Sequence, residues 1–254
     1  MTVKKSAFAW FAVLAVGTFF GVRPAHAALV NGGFETGTLS GWNTIGDTSV
    51  VTSSFGSGPV IGTYEALVKG GAGGSTTSGL EAFLGVPGGS LNALGNGITH
   101  GGSAIGQTFT AAAGQTLTFR WNFITDEQPP SVFNDFAFYS LSSLSTLADA
   151  NQAGLTPFGS LLQTRFSQTS LVLPATGTYS IALGVANVSD NGGLPQLLVD
   201  DVTLSTPVPE PAYGLGVALV LAAVVGRSRW ISRSSSVRWG GGSVTDLPPR
   251  IPRA

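Results

Sequence analysis

The chain has no cysteine, one methionine and two histidines, and only 10% of its 254 residues are charged. The lack of cysteine excludes disulfides, thiolate nucleophiles and cysteine metal sites. It does not exclude export, because a domain of ordinary size buries enough apolar surface to fold without disulfides.

Basic residues are scarce in the central part of the chain. Residues 28–206 contain only Lys69, Arg120 and Arg165 against eleven acidic residues, a net charge of −8. The whole chain sums to −1 because arginines cluster near its C-terminus. Such an acidic segment repels nucleic acid and anionic lipid, and cations or neutral glycans suit it better as partners.

Catalytic motifs are also lacking. After residue 27 the one histidine is His100, in a glycine-rich stretch typical of a solvated loop. Residues 101–106 fail the G-x-S-x-G spacing of a nucleophile elbow, and residues 95–97 fail the spacing of a dinucleotide loop. We therefore predict that the chain is not an enzyme.

The N-terminus has the pattern of a signal peptide. Lys4 and Lys5 precede an almost wholly apolar run, and Ala25 and Ala27 supply small residues where signal peptidase cleaves. Residues 1–27 are therefore predicted to be removed during export.

Three elements follow one another near the C-terminus. Pro209, Glu210 and Pro211 precede an apolar run over residues 212–226, and arginines follow at 227, 229 and 233. The run would form roughly 22 Å of helix against a hydrocarbon core of about 30 Å, so it spans a membrane only if the arginines snorkel. A cleaved sorting segment, a permanent anchor and a buried core helix all remain open.

The signal peptide, the V-P-E-P motif, the short apolar run and the arginines together resemble the PEP-CTERM family of exported bacterial proteins. The tail of this type also carries the label of an ice-binding protein C-terminal domain. The resemblance implies that residues 207–233 are a sorting segment, with Pro209, Glu210 and Pro211 as its recognition motif. It further implies an exosortase partner, a precursor held transiently in the inner membrane, and a biofilm or envelope setting. Residues 234–254 depart from the family pattern and are predicted to be a disordered extension.

Residues 28–206 are predicted to form one antiparallel β-sandwich of jelly-roll type. Apolar residues alternate with polar ones over 116–123 and 179–185, and glycine clusters separate further short strand patterns. Ser78 and Glu81 suggest a capping box for a short helix ending at Gly85, and Leu141–Ala150 suggests a second, weaker helix. Neither helix alters the fold class.

The two ends of this body resemble carbohydrate-binding-module-like jelly rolls. The residues that carry the resemblance are N-G-G-F-E-T-G at 31–37 and L-V-D-D-V-T-L at 198–204. Many such modules hold a structural calcium between the first and last strands, and the matching positions here are Glu35 and Asp200. By strand parity Asp200 shares a face with Val202 and Leu204, so it requires hydrogen bonds or a cation. Both alternatives, a calcium ligand and a hydrogen-bonded aspartate, remain open.

Two further groups of residues are weaker candidates for a site. Asp126 and Glu127, paired with Glu81 or Asp135, could serve glycoside hydrolysis, or they could form a solvated acidic loop or a set of calcium ligands. Aromatic residues could stack on sugars, but Phe34, Trp42 and Trp121 are expected in the core, which leaves Tyr64 and Tyr139.

The sequence as a whole predicts an exported structural protein of the cell surface or extracellular matrix, sorted by an exosortase. A binding module for matrix polysaccharide is the first alternative, and a glycan hydrolase is the second.

Overall fold

The computed structural model describes residues 28–205. The signal-peptide residues Ala25 and Ala27, the sorting motif Pro209 to Pro211, and the segments 207–233 and 234–254 lie outside this range. Within residues 28–205 no helix has both the length and the hydrophobicity needed to cross a membrane.

Twelve strands and one α-helix make up the fold. They are β1 (Asn43–Ile45), β2 (Asp47–Thr52), β3 (Tyr64–Lys69), α1 (Thr77–Leu84), β4 (Thr99–Ala111), β5 (Thr116–Thr125), β6 (Phe136–Ser140), β7 (Leu144–Asp149), β8 (Thr156–Phe158), β9 (Leu161–Gln163), β10 (Ser167–Val172), β11 (Gly177–Val188) and β12 (Gln196–Leu204). One sheet has the order β1-β4-β11-β6-β7, and the other has the order β2-β3-β12-β5-β9-β8 with β10 also paired to β5. All pairs are antiparallel, which confirms the predicted β-sandwich.

The main core lies between the two sheets and follows the period of two along each strand. Leu117, Phe119, Trp121 and Phe123 of β5 face it, as do alternate residues of β4, β11 and β12. Phe34 and Trp42, from the segment before β1, complete it, and their ring centroids are 5.4 Å apart. The expectation that Phe34, Trp42 and Trp121 are buried is therefore confirmed.

The outer faces of both sheets carry smaller apolar clusters. On the first sheet, Leu80 of α1 packs with Phe136 and Phe138 of β6. On the second, Leu67 of β3, Ile124 of β5 and Leu198 of β12 pack with Phe55 of the loop 53–63. Because α1 and the loop 53–63 cover the outer faces, polar groups on these faces can be buried outside the central core.

The one α-helix begins differently from its prediction. Its N-cap is Thr76, whose hydroxyl accepts the amide hydrogen of Gly79 at 3.2 Å, and Ser78 is already helical. Glu81 makes no capping box, because its carboxylate accepts hydrogen bonds from the amides of Gly89 and Leu91. Gly85 ends the helix with φ +67°, as expected for a glycine cap.

The second predicted helix is wrong. Residues 144–149 form β7, which pairs with β6 at the sheet edge. Its apolar residues pack on neighbouring strands, and such tertiary pairing overrides a weak local preference for helix.

The observed cap gives the first testable prediction. Thr76→Ala removes the acceptor for the Gly79 amide and should cost about 1 kcal/mol of unfolding free energy, a fall in Tm of about 2–4 °C. Ser78→Ala is the matched control, because Ser78 is exposed, and it should leave Tm within about 1 °C of wild type. Calorimetry of wild type and the two variants distinguishes Thr76 from Ser78 as the N-cap. A larger fall in Tm from Ser78→Ala than from Thr76→Ala would contradict the assignment of Thr76.

Candidate functional site

A groove of about 460 Å³ lies on the outer face of the first sheet, beside α1. Phe83 and Leu84 of the helix form one wall, and the floor includes Gly106 and Thr108 of β4 with Ser180 and Ala182 of β11. We refer to it as the Phe83 groove. No Asp, Glu, Lys, Arg or His is among its lining residues.

Strand parity produces this groove. On β4, Ile105 and Phe109 face the central core, so Gly106 and Thr108, which have the opposite parity, face outward, and both are small. A Cβ at Gly106 would lie 3.4 Å from the ring of Phe83, so the glycine allows the ring to lie close to the sheet. The hydroxyls of Thr108 and Ser180 are 2.8 Å apart on the floor.

The sequence did not reveal this groove, because its floor and wall come from three segments distant in sequence. From the sequence, Phe83 lies within the short helix predicted to end at Gly85, and nothing there points to a ligand. The two aromatic residues predicted for the surface, Tyr64 and Tyr139, are half-buried and pack against the central core. The outward-facing residues of β4 and β11 in the groove are small. They form one continuous floor only because the two strands pair, and the sequence does not show this pairing.

Asp200 is fully buried, but on the opposite face from the predicted one. The register shifts between Asp200 and Thr203, where Asp201 has φ +51°, and this bulge turns Val202 into the central core. Asp200 consequently shares the outer face with Leu198. Its Oδ2 accepts the amides of Val60 at 2.8 Å and Ile61 at 2.9 Å, and its Oδ1 accepts the amide of Asp201 at 2.6 Å.

Glu35 holds the same loop from its other side. It is exposed, and its Oε1 accepts the amides of Thr63 and Tyr64, both at 3.0 Å. A Cβ on Gly33 would lie 3.8 Å from Cγ of Glu35 and 4.0 Å from Oδ1 of Asp200, so both predicted calcium ligands approach the same glycine. Calcium at Glu35 and Asp200 stays a prediction.

Glu65 of β3 is a buried acid that sequence reasoning missed. It is fully buried, and no residue of 28–205 donates a hydrogen bond to either carboxylate oxygen. The register that pairs Val199 with Ala66 places Glu65 beside Asp200 on the same face. Burial, and then the charge of Asp200, raise the pKa of Glu65 to about 8, and burial also raises the pKa of Asp200. Glu65 is therefore largely protonated at neutral pH.

Of the candidate hydrolytic acids, the fold brings Glu127 and Asp135 together. Asp135 is fully buried, and any side chain at residue 193 would contact its Oδ2 and lie 3.3 Å from Oε1 of Glu127. The loop at Gly193 therefore packs directly against both carboxylates. Glu81 is buried and bonded to loop amides, and His100 is exposed at the start of β4.

No protein-family model and no curated protein matches this chain. Solved structures similar to it include TmCBM61 in complex with β-1,4-galactotriose, with 16% identity over 70% of this chain and 97% of that chain at a TM-score of 0.39. A carbohydrate-binding module specific for non-crystalline cellulose, CBM28, has 12% identity over 70% and 95% of the chains at 0.39. The K2 cleaved adhesin domain of Lys-gingipain has 10% identity over 71% and 97% at 0.33. Likenesses of this degree carry no argument about what the chain binds.

The buried pair of acids predicts how stability depends on pH. The folded state holds the Glu65 proton more tightly than the unfolded chain does, because the pKa is about 8 against an ordinary 4.5. The unfolding free energy must therefore fall as pH rises from about 4.5 to 8, and the loss is complete above that range. Glu65→Gln removes this titration, so the variant should exceed wild type at pH 8.5 by several kcal/mol.

Urea unfolding at pH 5 and pH 8.5, with EDTA present, measures the effect. The difference between the two proteins is the informative quantity, since burial also raises the pKa of Asp135 and Asp200 and gives both proteins a common slope. The same pH slope in wild type and variant would contradict an ionisable Glu65 beside Asp200.

Proposed function

We propose that this protein is an exported component of the cell surface or extracellular matrix, and that it binds a neutral polysaccharide in the Phe83 groove. The single observation that supports polysaccharide binding is the composition of the groove. It has an aromatic wall above a floor of small and hydroxylated residues, and no charged residue of the described range lines it.

The chemistry of the groove suits a sugar ring. Pyranose rings present C–H groups that pack on an aromatic side chain and hydroxyls that exchange hydrogen bonds with hydroxyl or amide groups. Phe83 offers the first kind of contact, and Thr108, Ser180 and Asn43 offer the second. A volume of about 460 Å³ lies within the usual range for small-ligand sites, roughly 300–1,000 Å³.

The net charge narrows the class of polysaccharide. Residues 28–206 have a charge of −8, so an anionic polymer would be repelled over much of the surface. A neutral glycan avoids this repulsion and meets no charge in the groove.

The setting rests on the two ends of the chain. A signal peptide over residues 1–27 sends the chain through the general secretory route, and signal peptidase removes it. The tail with Pro209, Glu210 and Pro211 then holds the precursor in the inner membrane until an exosortase cleaves it. The mature protein would act in a polysaccharide matrix outside the cell.

Glycan binding gives a direct test of the groove. Full-length chain in mild detergent is applied to an array of neutral and anionic glycans, and the best ligand is titrated by calorimetry. Phe83→Ala removes the aromatic wall and should weaken binding about fivefold or more, since one good stacking contact contributes about 1 kcal/mol or more. Ser180→Ala should weaken it by a smaller factor.

Phe158→Ala is the matched control, because Phe158 is also half-buried but packs on the second sheet. It should leave glycan affinity unchanged even if it lowers Tm. Binding that survives Phe83→Ala, or a preference for anionic glycans, would remove the groove from the proposal and leave a matrix protein without this site.

Processing of the tail is tested separately by mass spectrometry of the secreted protein. We expect no peptide from residues 234–254 in the mature form, because cleavage near Pro211 would remove them. Glu210→Ala should leave uncleaved precursor in the membrane fraction. Asp201→Asn, which removes an acidic residue outside the motif, should not. Recovery of residues 234–254 from the extracellular protein would contradict exosortase processing and leave the permanent anchor.

A further inference from the structure

A second group of acids lies at one end of the sandwich, on the segment before β6 and the loop after β11. Oδ1 of Asp126 accepts the amide of Leu194 at 2.8 Å, and Oδ1 of Asp135 accepts the amide of Val188 at 2.7 Å. Burial, followed by the charges of Glu127, Asp126 and Asp190, raises the pKa of Asp135 to about 7, although the Val188 amide lowers it. Four carboxylates are therefore concentrated at this end.

Two of these carboxylates, Asp135 and Glu127, each have an oxygen next to Gly193 to which no residue of 28–205 donates a hydrogen bond. Asp135 is fully buried, and within the described range no group donates a hydrogen bond to its Oδ2. Glu127 accepts the hydroxyl of Ser131 on Oε2 at 2.7 Å, and no described residue donates to its Oε1. Both oxygens lie next to Gly193, which has no side chain to separate them. The bonds to Val188 and Ser131 thus leave one oxygen of each carboxylate facing the position that a side chain at residue 193 would occupy.

No basic residue of the described range neutralises this group. Lys69 pairs with Asp47 at 2.8 Å, Arg120 approaches Asp201 at 3.5 Å, and Arg165 donates to the hydroxyl of Thr156 at 3.4 Å. A buried carboxylate without a partner is costly, and like charges beside it increase the cost. A bound cation would offset both effects.

We propose that Asp135 Oδ2 and Glu127 Oε1 bind a divalent cation, with Ca²⁺ as the expected ion. Ca²⁺ takes six to eight oxygen ligands in flexible geometry, so water and loop carbonyls can complete a site that starts from two carboxylates. Among residues 28–205 no three Asp, Glu or His side chains form a complete metal site, so the affinity should be modest. We expect a Kd of about 0.1–1 mM, the range of extracellular calcium modules.

The proposed ion would fasten two loops to each other. Glu127 and Asp135 flank the segment that precedes β6, while Gly193 belongs to the loop between β11 and β12. That loop is already held by Asn187, whose side chain donates to the carbonyl of Gly193 at 2.9 Å. This site is separate from Glu35 and Asp200, which act on the loop 53–63.

Calorimetric titration of the full-length chain with CaCl₂, in mild detergent after removal of metal with EDTA, tests the proposal. Asp135→Asn keeps an acceptor for the Val188 amide but loses the charge, and Glu127→Gln does the same for Ser131. Each should weaken binding at least tenfold. Asp47→Asn removes one half-buried carboxylate elsewhere and should leave the affinity unchanged, and so should Asp200→Asn for this site.

Proton release provides a second readout. Titrations at pH 6.5 in two buffers with different heats of ionisation report the protons displaced by Ca²⁺. The wild-type chain should release a substantial fraction of one proton per ion, and Asp135→Asn should release almost none.

Three results would overturn the site: no heat of binding up to about 10 mM Ca²⁺, full affinity in Glu127→Gln, or binding lost in Asp200→Asn alone. The last result would instead place calcium at Glu35 and Asp200. If Asp135→Asn fails to fold by circular dichroism, Glu127→Gln decides the question, because Glu127 is half-buried and lies outside the strands.

Discussion

The structure depends on hydrogen bonds from backbone amides to carboxylates. With three basic residues in the body, only Asp47 and Asp201 have an ion-pair partner among the described residues. Most other acids accept backbone amide hydrogens: Glu35, Glu81, Asp126, Asp149, Asp190 and Asp200 from loops, and Asp135 from Val188 at the end of β11. Charge-assisted bonds of this kind are stronger than neutral ones, and they order glycine-rich loops that have little apolar area of their own. The acidic excess is thus a structural device as well as a surface property.

Two buried acids have carboxylate oxygens to which no residue of 28–205 donates a hydrogen bond. Glu65 has no hydrogen-bond partner among residues 28–205 and keeps its proton at neutral pH, because burial, and then the charge of Asp200, raise its pKa to about 8. Asp135 keeps one free oxygen next to that of Glu127, which is the arrangement a cation would occupy. The Phe83 groove, by contrast, is lined by no charged residue of the described range. The acidic residues therefore order loops, and the groove is a separate, neutral surface suited to a neutral ligand.

Much of the fold was predictable, since the period of two on β5 and β11 and the glycine clusters between strands are local signals. The face on which Asp200 lies was not predictable. A bulge at Asp201 reverses the alternation of the side chains, and the residues V-D-D-V do not indicate a bulge. Glu65 was missed because its burial comes from loop 53–63, which folds over the outer face only through bonds to Asp200. The Phe83 groove likewise needs the packing of α1 on β4, a tertiary contact without a local pattern.

Amide hydrogen exchange of the full-length chain at pH 7 tests the role of the carboxylates most directly. Loop amides that donate to carboxylates, those of Val60, Ile61, Thr63, Gly89 and Leu194, should exchange about a hundredfold or more slowly than loop amides such as those of Ser142 and Gly154, for which no hydrogen bond is found in the described range. Asp200→Asn should selectively release Val60 and Ile61. Equal exchange in the two groups would contradict the account, because the loops would then be ordered by something other than the buried acids.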